Sequence, residues 1–406
     1  MKIAIVGGGA SGMAAALAAL ENPENQVVIY ERQARLGRKL LATGNGRCNL
    51  TNLGAHLSRY HGRNPAFAGP ALERFGPQQT LEWFGSLGLM TAQEDSGRVY
   101  PLSNAAGSVL DVLRLALEAR GASSFCASEV AAAGKAGQHF WIATPAGDEQ
   151  ADRLIVACGG MAGAKVGGGK SGYTLLAGFG HTRTELRPSL VQLRCDNTWT
   201  KSLKGVRTGA FLTLERDGLV LGRAEGEVQF TDYGLSGPAV FDLSRAASFA
   251  GDGAALALDL LPGHSKVDIM HYIEEKCADF PDYTAENLLT GTLHNSICRA
   301  VVRRAEIPTE TRLWALSAAS LEAVAGLVKR YELPLRGTLG FEEAQVTAGG
   351  VETAGFYPLT LESRLVPGLY ACGEVLDIDG DCGGFNLQWA WSSGRLAGLS
   401  AGGISL

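Results

Sequence analysis

The sequence predicts an α/β protein whose parallel-sheet domain is interrupted by a β-rich insertion and a small helical one. Three observations lead there. Residues 2–31 read as strand, glycine turn, helix and strand closing on an acid. The middle of the chain switches to alternating β patterns and then to helical periodicity. The last sixty residues return to glycine-rich strand–turn–helix character.

The opening unit is the most informative. Lys2 to Val6 is a short apolar strand, Gly7, Gly9 and Gly12 stand at Gly-x-Gly-x-x-Gly spacing, and an Ala-rich helix begins near Ala10. A second strand, Gln26 to Tyr30, ends on Glu31. In such a unit the first glycine permits the tight turn, the second lets backbone approach a pyrophosphate, and the third lets helix and strand pack closely. The acid about 20 residues on accepts from an adenosine ribose. The helix N-terminus adds free N–H groups and the positive end of a dipole. A bare glycine turn is the alternative reading, and the flanking strands and acid argue against it. This is the Rossmann-like pattern.

After Glu31 a second glycine-rich segment, Gly37 to Asn52, has no regular periodicity, so it is read as a loop held by whatever it contacts. Ser108 and Asp111 are spaced as an acidic capping box for a helix stopping at Gly121. Phe125 to Val130, His139 to Thr144 and Arg153 to Ala157 read as strands, the last running into Gly159 and Gly160 and predicted to lie beside the first strand. Gly167 to Ser171 imitates a phosphate loop, but the first glycine of that motif would fall at Ala164.

From Pro188 the chain is β-patterned, with an Asp217-Gly218 hairpin between Gly209 to Arg216 and Leu219 to Phe230. Pro238 then opens a short helix. Val267 to Cys277, Ala285 to Arg304 and Thr309 to Arg330 read as helices, with Arg299, Arg303 and Arg304 clustered on one of them as a solvated face or, alternatively, an anion contact. A terminal strand and turn, Gly368 to Glu374, precede a helix from about Gly384 to Arg395. The predicted domains are residues 1–187 with 338–406, an inserted β-rich domain of residues 188–262 with 331–337, and a helical domain of residues 263–330.

Composition narrows the function. A chain of 406 residues, 46% hydrophobic and 19% charged, can bury ample core without staples, and a net charge of -5 argues against a generally basic nucleic-acid binder. Locally, His181, Arg183, Arg187, Arg194, Lys201, Lys204 and Arg207 outnumber Glu185 and Asp196, which leaves a basic patch open as an RNA contact or a solvated surface. Gly7 to Gly12 breaks the first apolar run, and no stretch reaches the roughly 18 apolar residues of a membrane span, so a cytoplasmic location is expected. Eight scattered cysteines have neither disulfide-scaffold nor zinc-ligand spacing, and no metal is expected.

Four further motifs carry a family resemblance. They are Gly37 to Leu40 with Thr43 to Asn52, Phe230 to Val240, Val346 to Val351, and Gly373 to Gly380 followed by Gly383 to Gln388. Together they resemble the BaiN/RdsA-type FAD-dependent oxidoreductases, aminoacetone-oxidase-like members of the glutathione-reductase-like flavoproteins. The resemblance implies an FAD domain, an inserted β-barrel-like domain and a small helical domain. It also implies site residues. Gly7, Gly9, Ala10, Ser11 and Gly12 would hold the pyrophosphate, Glu31 the ribose, and Arg32 the adenosine side. Lys39, Gly44, Arg47, Cys48 and Asn49 would line the cofactor's centre, and Val130 would present backbone to the adenine. Gly159 and Gly160 would close over the nucleotide. Gly373, Glu374 and Asp377 would approach the ribityl chain, while Gly384, Asn386, Leu387 and Gln388 would turn a helix N-terminus toward the flavin.

Cys382 stands where the family pattern has threonine, and Phe385 where tyrosine is common. Cys48 and Cys382 are the candidate proton donors, against the reading of buried cysteine as an inert hydrophobe. The implied activity is reduction of an activated C=C bond, in an enone or an rRNA uridine, by a transiently bound NAD(P)H. The alternatives are an O2-using amine oxidase acting on an aminoacetone-like substrate, and a non-catalytic FAD-stabilised module binding RNA or protein.

Overall fold

The computed structural model describes residues 1–405. Contacts divide the chain into two compact units, Met1–Arg187 with Gln345–Leu406, and Pro188–Ala344.

In the first unit five parallel strands form one sheet, in the order Leu369–Ala371, Arg153–Val156, Lys2–Val6, Gln26–Tyr30 and Ser123–Phe125. The return strand pairs with the first in the register Ile3 to Arg153 through Val6 to Val156. In Lys2–Val6, Arg153–Val156 and Leu369–Ala371 side chains on both faces are buried, which is why these strands are nearly continuous apolar runs, whereas Ser123–Phe125 at the sheet edge is exposed. Three antiparallel strands, Ala132–Ala136, His139–Thr144 and Gly147–Ala151, form a separate small sheet.

The Ala-rich helix Ala10–Ala19 is buried along nearly its whole length. Its partner is the C-terminal helix Phe385–Ala401, and small residues allow a very close approach. A Cβ at Gly394 would stand 2.4 Å from the Ser11 carbonyl oxygen, and one at Gly398 2.1 Å from that of Ala15. The end of the chain therefore completes the core that its beginning opens.

The second unit is a closed antiparallel barrel in the order Leu193–Cys195, Gly234–Ser236, Leu219–Phe230, Arg207–Arg216, Ala255–Asp259 and Tyr331–Thr338. Helices Pro238–Ala250, Lys266–Asp279, Asn295–Arg304 and Ala318–Lys329 pack around a core shared with it, in which Leu212, Leu256, Ile273, Val301 and Val324 are buried.

Several expectations need correction. The helix expected at Ser108 runs Ala106–Ala119, so Ser108 lies inside it; its hydroxyl accepts from Ser103, and no capping box forms there. Of the expected strand Phe125 to Val130 only Phe125 is in a strand, as the last residue of Ser123–Phe125, and Gly147–Ala151 is a strand where the sequence suggests a turn. The helix opened by Pro238 has 13 residues and is not short. The segments 285–304 and 309–330 hold helices only at Asn295–Arg304 and Ala318–Lys329, because their first halves are loops closed by turns such as Ala285–Asn287. Arg304 does not face solvent: its guanidinium lies 4.6 Å from the Tyr331 ring centre and 5.1 Å from that of Trp199.

Candidate active site

The glycine turn does what its spacing requires. Gly7 has φ 111°, and a Cβ on it would strike the Ala157 carbonyl oxygen at 2.4 Å. At Gly12 a Cβ would lie 1.9 Å from the Gly7 carbonyl oxygen. Around Gly9 a Cβ would meet no atom within 4 Å, so this backbone borders a cleft. Met13 donates to the Gly9 carbonyl as the first helical bond, which leaves the N–H groups of Ala10, Ser11 and Gly12 without helical acceptors.

Glu31 is already oriented by the turn it serves: Oε2 accepts from the Gly8 N–H at 2.8 Å and Oε1 from the Gln33 N–H at 2.7 Å. Arg32 donates to the carbonyls of Gly167 and Gly168 at 2.6 and 2.8 Å. The segment that imitates a phosphate loop is thus tied back to the second strand's end. Val130 is buried, and its backbone makes no hydrogen bond among the described residues.

Across the cleft, Lys39 Nζ and Glu374 Oε2 form an ion pair at 2.8 Å, and Glu374 Oε1 accepts from the Thr347 N–H at 2.8 Å. Thr347 Oγ1 also accepts from the Ala162 N–H at 3.0 Å. A Cβ at Gly160 would lie 2.5 Å from both Thr347 Oγ1 and Glu374 Oε1, whereas at Gly159 it would meet nothing within 4 Å. Gly373, at φ 77°, sits against Ser11, and its N–H donates to Ser393 Oγ at 3.0 Å. Asp377 accepts from the Arg63 N–H at 3.0 Å and is buried.

At the C-terminal helix, Gly384 is the cap, with φ 101°. Asn386 braces the preceding turn, accepting from the Gly380 N–H and donating to its carbonyl, both at 2.8 Å. Phe385, Asn386 and Leu387 supply the helix's first N–H groups. Gln388 departs from expectation. Its N–H already donates to Gly384, and its side chain is buried among Thr51, Thr80, Ser392 and the Phe75 carbonyl, so it braces the helix from within.

Two other expectations change. Arg47 is turned to Asn104 and Glu94, with its guanidinium 3.9 Å from the Tyr100 ring centre. Cys48 is fully buried, and desolvation pushes its thiol up to about 12, against its use as a proton donor at neutral pH. Cys382 is half-buried in the turn before the helix. Gly44 keeps a left-handed turn, φ 56°, against the Asn49 N–H.

The residues fit a dinucleotide. Buried polar atoms ordinarily have partners, yet Asn49 Oδ1 and the Tyr173 hydroxyl are buried with none. Both ask for one from a bound group. Tyr173 lies outside every motif the sequence offers, and Thr347 lies within the Val346 to Val351 motif without a role of its own, because its partners Glu374 and Ala162 lie far along the chain.

Three cations of the basic segment are paired with acids, Arg187 with Glu185, Lys204 with Asp232 and Arg207 with Glu227, while Asp196, one of its two acids, is held by Arg336. His181 is buried, stacked on Phe356 and bonded to Ser363, and burial lowers its pKa. No helix among the described residues is long and apolar enough to cross a membrane.

A model of the HI0933-like protein Rossmann domain matches residues 1–400. The chain belongs to that family. It is 39% identical over 404 residues to a 3-dehydro-bile acid delta(4,6)-reductase of Clostridium scindens, covering 98% of each chain. It is 30% identical over 393 residues to a ribosomal RNA dihydrouridine synthase of Escherichia coli, covering 96% of this chain and 95% of that one. Among solved structures, a 3-ketosteroid delta1-dehydrogenase from Sterolibacterium denitrificans, in complex with 1,4-androstadiene-3,17-dione, superposes with a TM-score of 0.51 at 12% identity over 99% of each chain, a likeness of fold alone. The family member described here is an FAD-dependent oxidoreductase.

Proposed function

We propose that the protein reduces a C=C bond conjugated to a carbonyl, with NAD(P)H as reductant. The observation that carries this reading is the end-to-end relationship to two enzymes whose names share that chemistry. A 3-oxo-4,6-diene and a uracil ring both present an alkene made electron-poor by a neighbouring carbonyl.

Bound FAD would supply a two-electron carrier able to take up and give hydride. The chain's own residues do the rest. The N–H groups of Ala10, Ser11 and Gly12 would hold the pyrophosphate, and Glu31, fixed by Gly8 and Gln33, would accept from the ribose. Lys39, Glu374 and Thr347 form a polar wall along the cleft, and Asn49 offers its buried Oδ1 to a donor. The N–H groups of Phe385, Asn386 and Leu387, at the positive end of a 17-residue helix, would stabilise negative charge on the reduced ring system.

The test is anaerobic. Holoenzyme should be bleached by NADH or NADPH and recoloured by a 3-oxo-4,6-diene bile acid or a uridine-containing rRNA fragment. Failure of both nicotinamides to bleach it would reject the reading.

A further inference from the structure

Adding hydrogen across a conjugated alkene needs a proton as well as a hydride, and the buried Cys48 thiol is poorly suited to give it. One imidazole stands beside the turn that leads into the C-terminal helix. His61 lies in a two-stranded antiparallel pair with Asp379 and Gly380, the residues that lead into the C-terminal helix. Its Nε2 is 2.6 Å from Asp381 Oδ1, and Arg59 approaches Asp381 Oδ2 at 3.3 Å. The loop carrying Asp381 is locked to the helix start: Asn386 donates to the Gly380 and Asp381 carbonyls, and Tyr60 donates to the Phe385 carbonyl at 3.1 Å. Gly384, three residues beyond Asp381, packs against the unpartnered Asn49 Oδ1. The pair is thus mounted at the helix N-terminus that would face the reacting ring.

We propose that His61 is the general acid of the reduction and that Asp381 is its positioning residue; the proposal rests on the reading that a conjugated alkene is reduced. Asp381 fixes Nε2–H, so Nδ1 is the nitrogen that meets the substrate. Hydride, carrying both electrons, originates from the reduced nicotinamide and adds to the β carbon. The α carbon takes a proton as the Nδ1–H bond of the imidazolium breaks, leaving neutral imidazole. With its side chain 37% exposed, His61 recovers that proton from water. The charged groups around it are Arg59, Arg63, Asp377, Asp379, Asp381 and Glu352. Asp381 alone contacts the ring by ion pairing, while Arg63 is held by Glu352.

The experiment compares wild-type holoenzyme with His61→Gln, which keeps a donor toward Asp381, and with Asp381→Asn. Stopped-flow absorbance reads NAD(P)H-driven bleaching and recolouring by the 3-oxo-4,6-diene separately. In His61→Gln, recolouring should slow about 10²-fold or more while bleaching stays within about twofold. In 15N NMR of the oxidised holoenzyme, neutral His61 should carry its proton on Nε2 in the wild type and lose that preference in Asp381→Asn. Recolouring within about threefold of wild type in His61→Gln, or an Nδ1–H tautomer in the wild type, would overturn the assignment while leaving the reductase reading intact. Wild-type enzyme that bleaches but is recoloured by neither conjugated substrate would defeat that reading, and this assignment with it.

Discussion

Replacing Glu31 probes the cradle most sharply, because its carboxylate does two jobs. It holds the Gly8 and Gln33 N–H groups at 2.8 and 2.7 Å, and it would accept from the adenosine ribose. Glu31→Gln keeps the shape but places an N–H2 where one oxygen accepted, so at least one charge-assisted bond is lost and a donor meets a donor. Such a bond contributes about 1.5–3 kcal/mol. At about 1.4 kcal/mol per tenfold, FAD binding should weaken by roughly 10- to 100-fold. Glu31→Ala should weaken it at least as much, since the Gly8 turn loses its tether too. The assay is titration of cofactor-stripped protein with FAD, followed by quenching of flavin fluorescence, with the thermal midpoint recorded beside it. Wild-type affinity in Glu31→Ala with an unchanged fold would refute the role assigned to this carboxylate.

Further predictions follow from the same geometry. Gly160→Ala places a methyl 2.5 Å from Glu374 and Thr347, so it should loosen FAD binding without unfolding the protein, as read by the same titration. Gly398→Ala drives a methyl into the Ala15 carbonyl and should destabilise the first unit by about 1–3 kcal/mol in urea unfolding. The thiols of Cys48, Cys158 and Cys372 are pushed from an ordinary 9 up to about 12 by burial. The folded state therefore keeps protons that the unfolded state sheds above pH 9. Their stabilisation is complete below pH 9 and is lost between pH 9 and 12, by at most about 1.4 kcal/mol per pH unit per thiol. The urea midpoint should accordingly fall between pH 8 and 10.5, and Cys48→Ala should flatten that fall.

What the sequence made legible was local. Gly7, Gly9, Gly12 and Glu31 are contained in one short segment whose spacing has a single mechanical use, and the structure shows that turn with the acid already on the Gly8 N–H. The strand Arg153–Val156 could be placed beside the first because paired glycines must follow it. Contacts between distant residues could not be read. Nothing near Arg47 predicts Asn104 and Glu94 as partners, and nothing near Gln388 predicts Thr51 and Phe75. The same holds for His61 and Asp381, joined across 320 residues. A periodic pattern that runs on through a loop places helix starts too early: Ala285, Leu288 and Leu289 have helical spacing because they are core residues in and just after the turn Ala285–Asn287. The charge excess of the basic segment is only partly offset in the fold, by Asp232 and Glu227, which lie farther along the chain, while its own Asp196 is held by Arg336.

The cleft opened by Gly7 to Gly12 and closed by the turn at Gly384 is the proposed seat of FAD as an electron carrier. The most direct measurement is the visible absorption spectrum of the purified protein, taken before and after anaerobic NADH or NADPH. Flavin bands near stoichiometric content, bleached by one of the two nicotinamides, are the expected result. A folded protein that carries no flavin and takes none up from a solution of FAD would contradict it.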